Sequence, residues 1–410
     1  MTSPVLGSLD DDLTSTSFLD DPYPVYARLR EEDPIHWSEP WQSWVISRYE
    51  DVQAILKADG RTTTIRGRID AALQAYKPAE RAHLGLMSDH YSRGLLHSDP
   101  PDHTRLRSLV NKVFNPRVVE GLRPVIAQVA DELLDEADGR DELDLIRDYA
   151  FGLPASVVAI VLGVPPEERF EVREWVAGLN AFLGSNRPSF EVASSGQDHL
   201  RHLRDYLAAV AEERRARPRA DVLSRLVQAR DEEGALSQEE LLSTCVTFLV
   251  GGHVTTTALI STGVMLLRRS EDWDRLLSGE VPYESAVEEI LRFESPNQRI
   301  IRVAKVDMDL GGRAIRAGDP LMLLLGAADR DPEQFPDPDR FEIARGTSRH
   351  LAFAGGEHFC VGASLARAEG AIAIRRLAER HPGLKLLQTE PVWTRSPTLR
   401  LLEQLPVAWS

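Results

Sequence analysis

Cys360 stands where a cysteine could do chemistry. It closes the run Phe353-Ala354-Gly355-Gly356-Glu357-His358-Phe359-Cys360, and Val361-Gly362 then lead into a helical pattern over 363–380. A thiol acts as nucleophile or metal ligand only as the thiolate. A helix start favours that form twice, through unpaired N–H groups and the positive end of the helix dipole. The glycines let backbone amides come close to the sulfur. A lone cysteine is more often an inert core side chain, and it is the glycine-bordered loop that sets Cys360 apart. Cys245 sits in the apolar run Cys245-Val246-Thr247-Phe248-Leu249-Val250 and reads as core packing.

Two more groupings accompany it. Glu289 and Arg292, three apart in a predicted helix over 283–293, share one face. Alone that pair says nothing, since surface helices are full of such pairs. The run Gly251-Gly252-His253-Val254-Thr255-Thr256 lies inside the longest helix candidate, 237–269, which Ser237 and Glu240 open as a capping box. At full length that helix would span roughly 50 Å. Each mid-helix glycine costs about 1 kcal/mol relative to alanine. Tight helix packing would account for the pair, and so would the approach of something large and flat. A threonine in a buried helix bonds by default to the carbonyl four residues back.

The elements that must position these residues follow from periodicity. A short helix is expected over 22–32, a hairpin over 35–37 and 44–46, and helices through 104–231. Residues 60–96 read as a long loop with short helices, a length that is usually functional in a compact domain. Short strands and loops fill 300–345. The expectation is a flexible acidic arm over 1–20 and one domain over 21–410, mainly α with a minor β region.

Bulk properties exclude several classes. The 410 residues carry a net charge of −16, which opposes nucleic acid and anionic membranes as partners. Two cysteines make neither a disulfide framework nor a four-cysteine zinc site, and fit a reducing cytosol. The N-terminus lacks a signal-peptide pattern, and no uninterrupted run of about 18 apolar residues is present. A cytoplasmic protein without a membrane span is expected.

In their order along the chain, these motifs resemble the cytochrome P450 family, from about Asp21 to the C-terminus. F-x-x-G-x-x-x-C-x-G around Cys360 is similar to its haem-binding loop. Glu289 to Arg292 looks like its E-x-x-R. Ala328-Asp329-Arg330-Asp331-Pro332 with Phe335, Pro338 and Phe341 resembles a further motif, and 99–107 looks like its haem-edge helix. The resemblance implies the cytochrome P450 fold, with haem b (iron protoporphyrin IX) between the long central helix and the cysteine-loop helix. Cys360 would ligate the iron, in a loop shaped by Phe353, Gly356 and Gly362. His103, Arg107, Arg302 and His358 would face the propionates, with Arg299 as a substitute for Arg302. Glu289 and Arg292 would anchor the loop before the cysteine. Gly252, His253, Val254 and Thr255 would form the oxygen site, with Thr255 as the hydrogen-bonding alcohol.

The implied activity is oxidation of a small organic molecule, in secondary metabolism, with O2 and two electrons from a ferredoxin or flavodoxin-like donor. A monomer is expected. Arg345, Arg349, His350, Arg367, Arg375, Arg376, Arg105 and Lys112 would give that donor a basic docking face. Arg61, Arg66, Arg68, His83, His90 and Arg93 could meet an anionic substrate group, although scattered loop charges usually face solvent.

Three positions depart from the family pattern. Val254 replaces the usual acid and cannot relay a proton. Either water, Thr255 or His253 takes over, or the reaction is atypical: oxidative coupling, cyclisation or a peroxide-driven oxidation. Ala354 replaces a frequent glycine, tolerable unless that position needs a positive φ. Asp329 replaces a frequent asparagine and reads as a surface detail. A haem-binding scaffold without turnover is the reading furthest from these.

Overall fold

The computed structural model describes residues 7–58, 60, 62–66, 68–183, 188–231, 234–346 and 349–409. Its contacts divide into two compact units. One comprises Met1–Thr64, Ser261–Cys360 and Lys385–Pro406, and the other Ile65–Ile260, Val361–Leu384 and Val407–Ser410. Neither is a contiguous stretch of chain, so no boundary shows in composition.

The first unit is built on a five-stranded sheet. Strands Ile35–Ser38 and Ser43–Ile46 form the expected hairpin, pairing Ile35 with Ile46. Pro320–Leu324 joins parallel to the second of these, followed by Arg299–Ala304 and Thr63–Thr64. Side chains alternate across a strand. Leu321 and Leu323 therefore enter one core with Ile46, Val52 and Leu56, while Met322 and Leu324 enter another with Val45, Tyr26 and Phe18.

That second core corrects the reading of 1–20 as a loose arm. Leu9–Thr14 and Thr16–Asp20 are helices, capped by Ser8 and Ser15, and they bury Leu13 and Phe18. Phe18 lies edge-on to Tyr26 and Trp41. Two apolar anchors in an acidic stretch are too few to show periodicity, yet they are enough to fold it against a core.

The second unit is helical. Arg169–Leu183 packs on Phe190–Ala216, and Pro116–Ala137 packs on Ala363–Arg380. The 60–96 region holds more helix than expected: Arg68–Leu73, Pro78–His83 and Gly85–Ser92.

The long helix starts at its capping box but is not continuous. It runs Gln238–Gly251, turns at Gly252 and His253, and resumes over Val254–Arg269. Gly251 and Gly252 weaken the helix there, and the Thr255 hydroxyl donates to Gly251 O at 3.0 Å. The whole stretch, Gln238–Arg269, is long and apolar enough to cross a membrane by length and composition. Counting only unbroken apolar runs had missed it, because threonines and glycines interrupt the run without lowering its mean much. Of its most apolar window 67% is buried in the structure, as in a core helix.

Candidate haem-thiolate site

Cys360 is exposed, at the end of a loop whose shape is tightly fixed. Cys360 N donates to Phe353 O at 3.1 Å, Phe359 N to Gly356 O at 3.2 Å and Ala354 N to Leu351 O at 2.7 Å. Residues Gly356–His358 make one 3-10 turn. Gly356 sits at φ +65°, where a β-carbon would also lie 1.9 Å from Leu56 O, so only glycine fits. Ala354 sits at φ +56°, the condition under which alanine is strained there. Phe353 is buried and meets Phe359 edge-on. Gly362 caps the helix Ala363–Arg380, whose first turn has no side-chain cap.

The loop and the segment before it are held by buried polar groups. Glu289 and Arg292 form a two-pronged ion pair at 2.7 and 2.8 Å. Arg292 also donates to Asp329 O, Pro338 O and Arg340 O, and Glu289 accepts from Glu342 N and Arg345 Nε. In the A-x-R-D-P motif, Arg330 donates to Phe293 O and lies over Tyr23, while Asp331 accepts from Tyr49 N at 2.8 Å. The motif thus ties three helices of the first unit to the cysteine loop.

Asp329 is not a surface detail. It is fully buried, and Leu351 N donates to its Oδ1 at 2.6 Å. Burial pushes its carboxyl well above the usual range, against the pull of that bond and of Arg292. The folded protein therefore keeps a proton that the unfolded chain loses above about pH 4. The contribution of Asp329 to stability is therefore fully present below that pH and is lost as pH rises. An Asp329→Asn protein should gain stability over the parent by about 1.4 kcal/mol per pH unit above that range, until Asp329 itself ionises. Urea unfolding of both forms at pH 4 and pH 8 checks this; a constant difference between them would refute it.

The cationic set divides by position. Arg302 is buried in strand Arg299–Ala304 and donates to Ile301 O at 2.9 Å. Arg299, three residues earlier, is on the opposite face of the strand. It lies 4.4 Å from the Trp41 ring centre and donates to Thr398 Oγ1. The two arginines are therefore not interchangeable. His358 is half-buried in the cysteine loop. In the second unit, His103 is buried and Arg107 half-buried, one turn apart on the helix Asp102–Val113.

On the broken helix, nothing beyond the adjoining residues and the helix's own backbone lies within 4 Å of a β-carbon placed on Gly251. Thr255 stands one turn further on, with its hydroxyl bonded back as the default for threonine predicts. His253 faces elsewhere: its ring lies tilted against Phe151 with centres 4.2 Å apart, Nε2 meets Phe151 O at 3.2 Å, and it lines a cavity with Arg169 and Arg173. Burial pushes its pKa down to about 4, so it is neutral at pH 7. Val254 offers no polar atom.

The expected docking cations do not all remain available. Arg345 is 14% exposed and serves Glu289 and nearby carbonyls. His350 is buried against Glu288 at 3.3 Å, and Arg105 pairs with Glu240. Arg375 and Arg376 are surface residues, each beside Glu379. Of the loop cations, Arg66 pairs with Asp102, His83 with Ser194, and His90 is buried against Arg204. Arg61 and the Arg68 side chain lie outside the described residues. Cys245 is fully buried, as expected.

Among the described residues, no three His, Cys, Asp or Glu side chains converge to hold a metal. A single exposed thiol suits a metal that brings its other donors with it. Taken unit by unit, the buried Arg302 of the first and the buried His103 of the second each suit a group that brings anionic substituents, and within the second the open flank of Gly251 suits something flat. The residues fit haem.

Comparison with known proteins agrees. The family model for Cytochrome P450 matches residues 36–381. The biotin biosynthesis cytochrome P450 of Bacillus subtilis is 37% identical, over 96% of this chain and 98% of that one. The cytochrome P450 monooxygenase PikC of Streptomyces venezuelae is 38% identical, over 98% of this chain and 94% of its own. A crystal structure of P450BioI with a fatty-acid-ligated acyl carrier protein superposes with a TM-score of 0.87, at 35% identity, over 96% of this chain and 99% of that one.

Proposed function

The chain belongs to the cytochrome P450 family, and on that premise we propose that it inserts one atom of O2 into a small organic molecule of bacterial secondary metabolism. Haem b is the cofactor of this monooxygenase family. In this reading the enzyme works in the cytoplasm as a monomer and draws two electrons from a ferredoxin or flavodoxin-like donor. One observation carries it: an exposed Cys360 on a loop that Gly356 and the Glu289–Arg292 network hold in one shape.

When bound, haem supplies the binding and reductive splitting of dioxygen. Cys360 would hold the iron, and its thiolate would supply the electron density that favours the chemistry of the group. His103, Arg107, Arg302 and His358 neutralise the propionates, which need cationic partners once buried. Arg299, engaged by Trp41 and Thr398, steadies the strand beside them. Gly252 lets the helix break close against Phe248 O and Val158, which a β-carbon would meet at 3.1 and 3.4 Å. Thr255, whose hydroxyl donates to Gly251 O, would be the alcohol that hydrogen-bonds the oxidant. Overall, substrate C–H, O2, two electrons and two protons give C–OH and water. Of the cations expected to meet the electron donor, Arg349, Arg375 and Lys112 are exposed and Arg367 and Arg376 partly so.

Val254 keeps atypical coupling, cyclisation or peroxide-driven oxidation as the second reading. The protein reconstituted with haemin and a ferredoxin–reductase pair should be screened for compounds that shift its Soret band. Turnover under isotopically labelled dioxygen should then place one labelled atom in the product. Turnover without label in the product would favour the second reading. Ligand binding with no electron transfer from any donor would make the protein a scaffold.

A further inference from the structure

The second unit holds a cavity of about 130 Å³ that the function proposed above does not use. Helices Gly152–Val161 and Arg169–Leu183 form two of its walls. Leu249, before the helix break, and His253, within it, form the third. Val158, Val172 and Val176 make the interior apolar. Val158 is also the side chain that a β-carbon on Gly252 would meet, so the cavity backs directly onto the break.

Two arginines line the same space. Arg169 donates through Nε to Val164 O at 3.2 Å, and Arg173 lies 5.2 Å from the ring centre of Phe170. Both are half-buried. Among the described residues neither has a carboxylate partner, although the chain carries 64 acidic side chains against 48 basic ones. Half-burying a guanidinium without a counter-ion is unfavourable. The charge of Arg173 reaches the interior: burial first, and then Arg173, push His253 down against the bond to Phe151 O. Phe170 lines the cavity while 62% exposed, a bare aromatic surface beside that guanidinium.

These features select one kind of ligand. Charge-assisted bonds are roughly twice as strong as neutral ones, so the two guanidiniums favour a carboxylate over an amide or alcohol. The apolar interior requires a hydrocarbon body, which an inorganic anion lacks. An apolar cavity of about 150 Å³ holds one benzene, so that body is about one ring in size. We propose that this cavity binds a small monocarboxylate with an apolar body of that size, its carboxylate on Arg169 and Arg173 and its body against Val158, Val172 and Leu249, and that occupancy stiffens the turn at Gly252 and His253. The site goes beyond the monooxygenase reading and does not depend on it. Contact with Leu249 and His253 together restricts the residues that join them. Such a ligand is an effector: by linkage it is coupled to anything whose binding depends on the same turn.

Benzoate is the probe, titrated calorimetrically into haem-loaded protein saturated with phenylimidazole, which closes the haem pocket to it. Benzoate should bind, and benzamide, its uncharged counterpart, should bind at least about tenfold more weakly. Arg169→Gln/Arg173→Gln should lower benzoate affinity by at least about tenfold. Arg173→Lys should retain part of it, because the charge stays and the planar fork is lost. Ala159→Leu fills the cavity, leaves both arginines in place and should abolish binding. Melting temperatures guard against a misfolded variant: benzoate should raise that of the parent and not that of the double glutamine variant, whose changes are at half-buried positions. Amide hydrogen exchange over 252–255 should slow with benzoate in the parent alone.

Equal binding of benzamide, undiminished benzoate binding in the double glutamine variant, or no benzoate binding at millimolar concentration would each overturn the site. Binding without slower exchange over 252–255 would overturn its hold on the turn. None of these results bears on the monooxygenase reading, which the labelled-dioxygen experiment decides.

Discussion

Cys360→Ala protein is expected to lose turnover to background, together with the long-wavelength Soret band that marks thiolate ligation in the reduced, carbon monoxide-bound form. No other thiol can stand in. Cys245 is fully buried, and burial pushes its thiol up to about 12, so it offers no thiolate at neutral pH. The alanine also fits the loop. The hydrogen bond at position 360 is from its backbone N to Phe353 O, and the side chain is exposed, so the fold should survive. Circular dichroism of the variant should match the parent, which separates loss of the ligand from loss of structure. Cys360→His should bind haem with the shorter-wavelength band of imidazole ligation. Persistence of the thiolate band in Cys360→Ala would remove the basis for the function proposed above.

How much of this was legible in sequence depends on the range of the interaction that decides each residue. The cysteine loop is local: Gly356 must adopt a positive φ, and the helix after Gly362 follows at once, so ten consecutive residues carry the pattern. The hairpin and the capping box at Ser237 are equally local. Asp329 and Arg345 were misread because a charged residue in a Pro- and Asp-rich segment looks solvated. Their burial is decided by Leu351 and Glu289, which lie 22 and 56 residues away in the chain. The break at Gly252 was half visible. The glycines announced a weakness, but which carbonyl Thr255 would take depends on the geometry of the turn itself.

Arg292→Ala should be the most damaging change away from the sulfur. Removing one member of a buried ion pair leaves the other charged and desolvated, at a cost of about 3–5 kcal/mol. Here the guanidinium also serves the carbonyls of Asp329 and Pro338, and that of Arg340, to which Arg345 donates as well. That loss amounts to a large part of the roughly 5–15 kcal/mol that typically holds a domain folded. The variant should therefore yield little soluble protein and retain haem in few chains, measured as haem per polypeptide after gel filtration. Arg292→Lys should fail nearly as badly, because an ammonium cannot make the two-pronged bond to Glu289 and reach the carbonyls together. Exchanging both partners for methionine separates two explanations. Were the ion pair alone responsible, the double variant would recover most of the stability, as buried pairs replaced by apolar side chains often do. The carbonyls of Asp329 and Pro338 would still lose the Arg292 donor, so we expect little recovery. Near-parental urea midpoints in Glu289→Met/Arg292→Met would show that the pair sets the arrangement of the 329–345 segment without being needed to hold it.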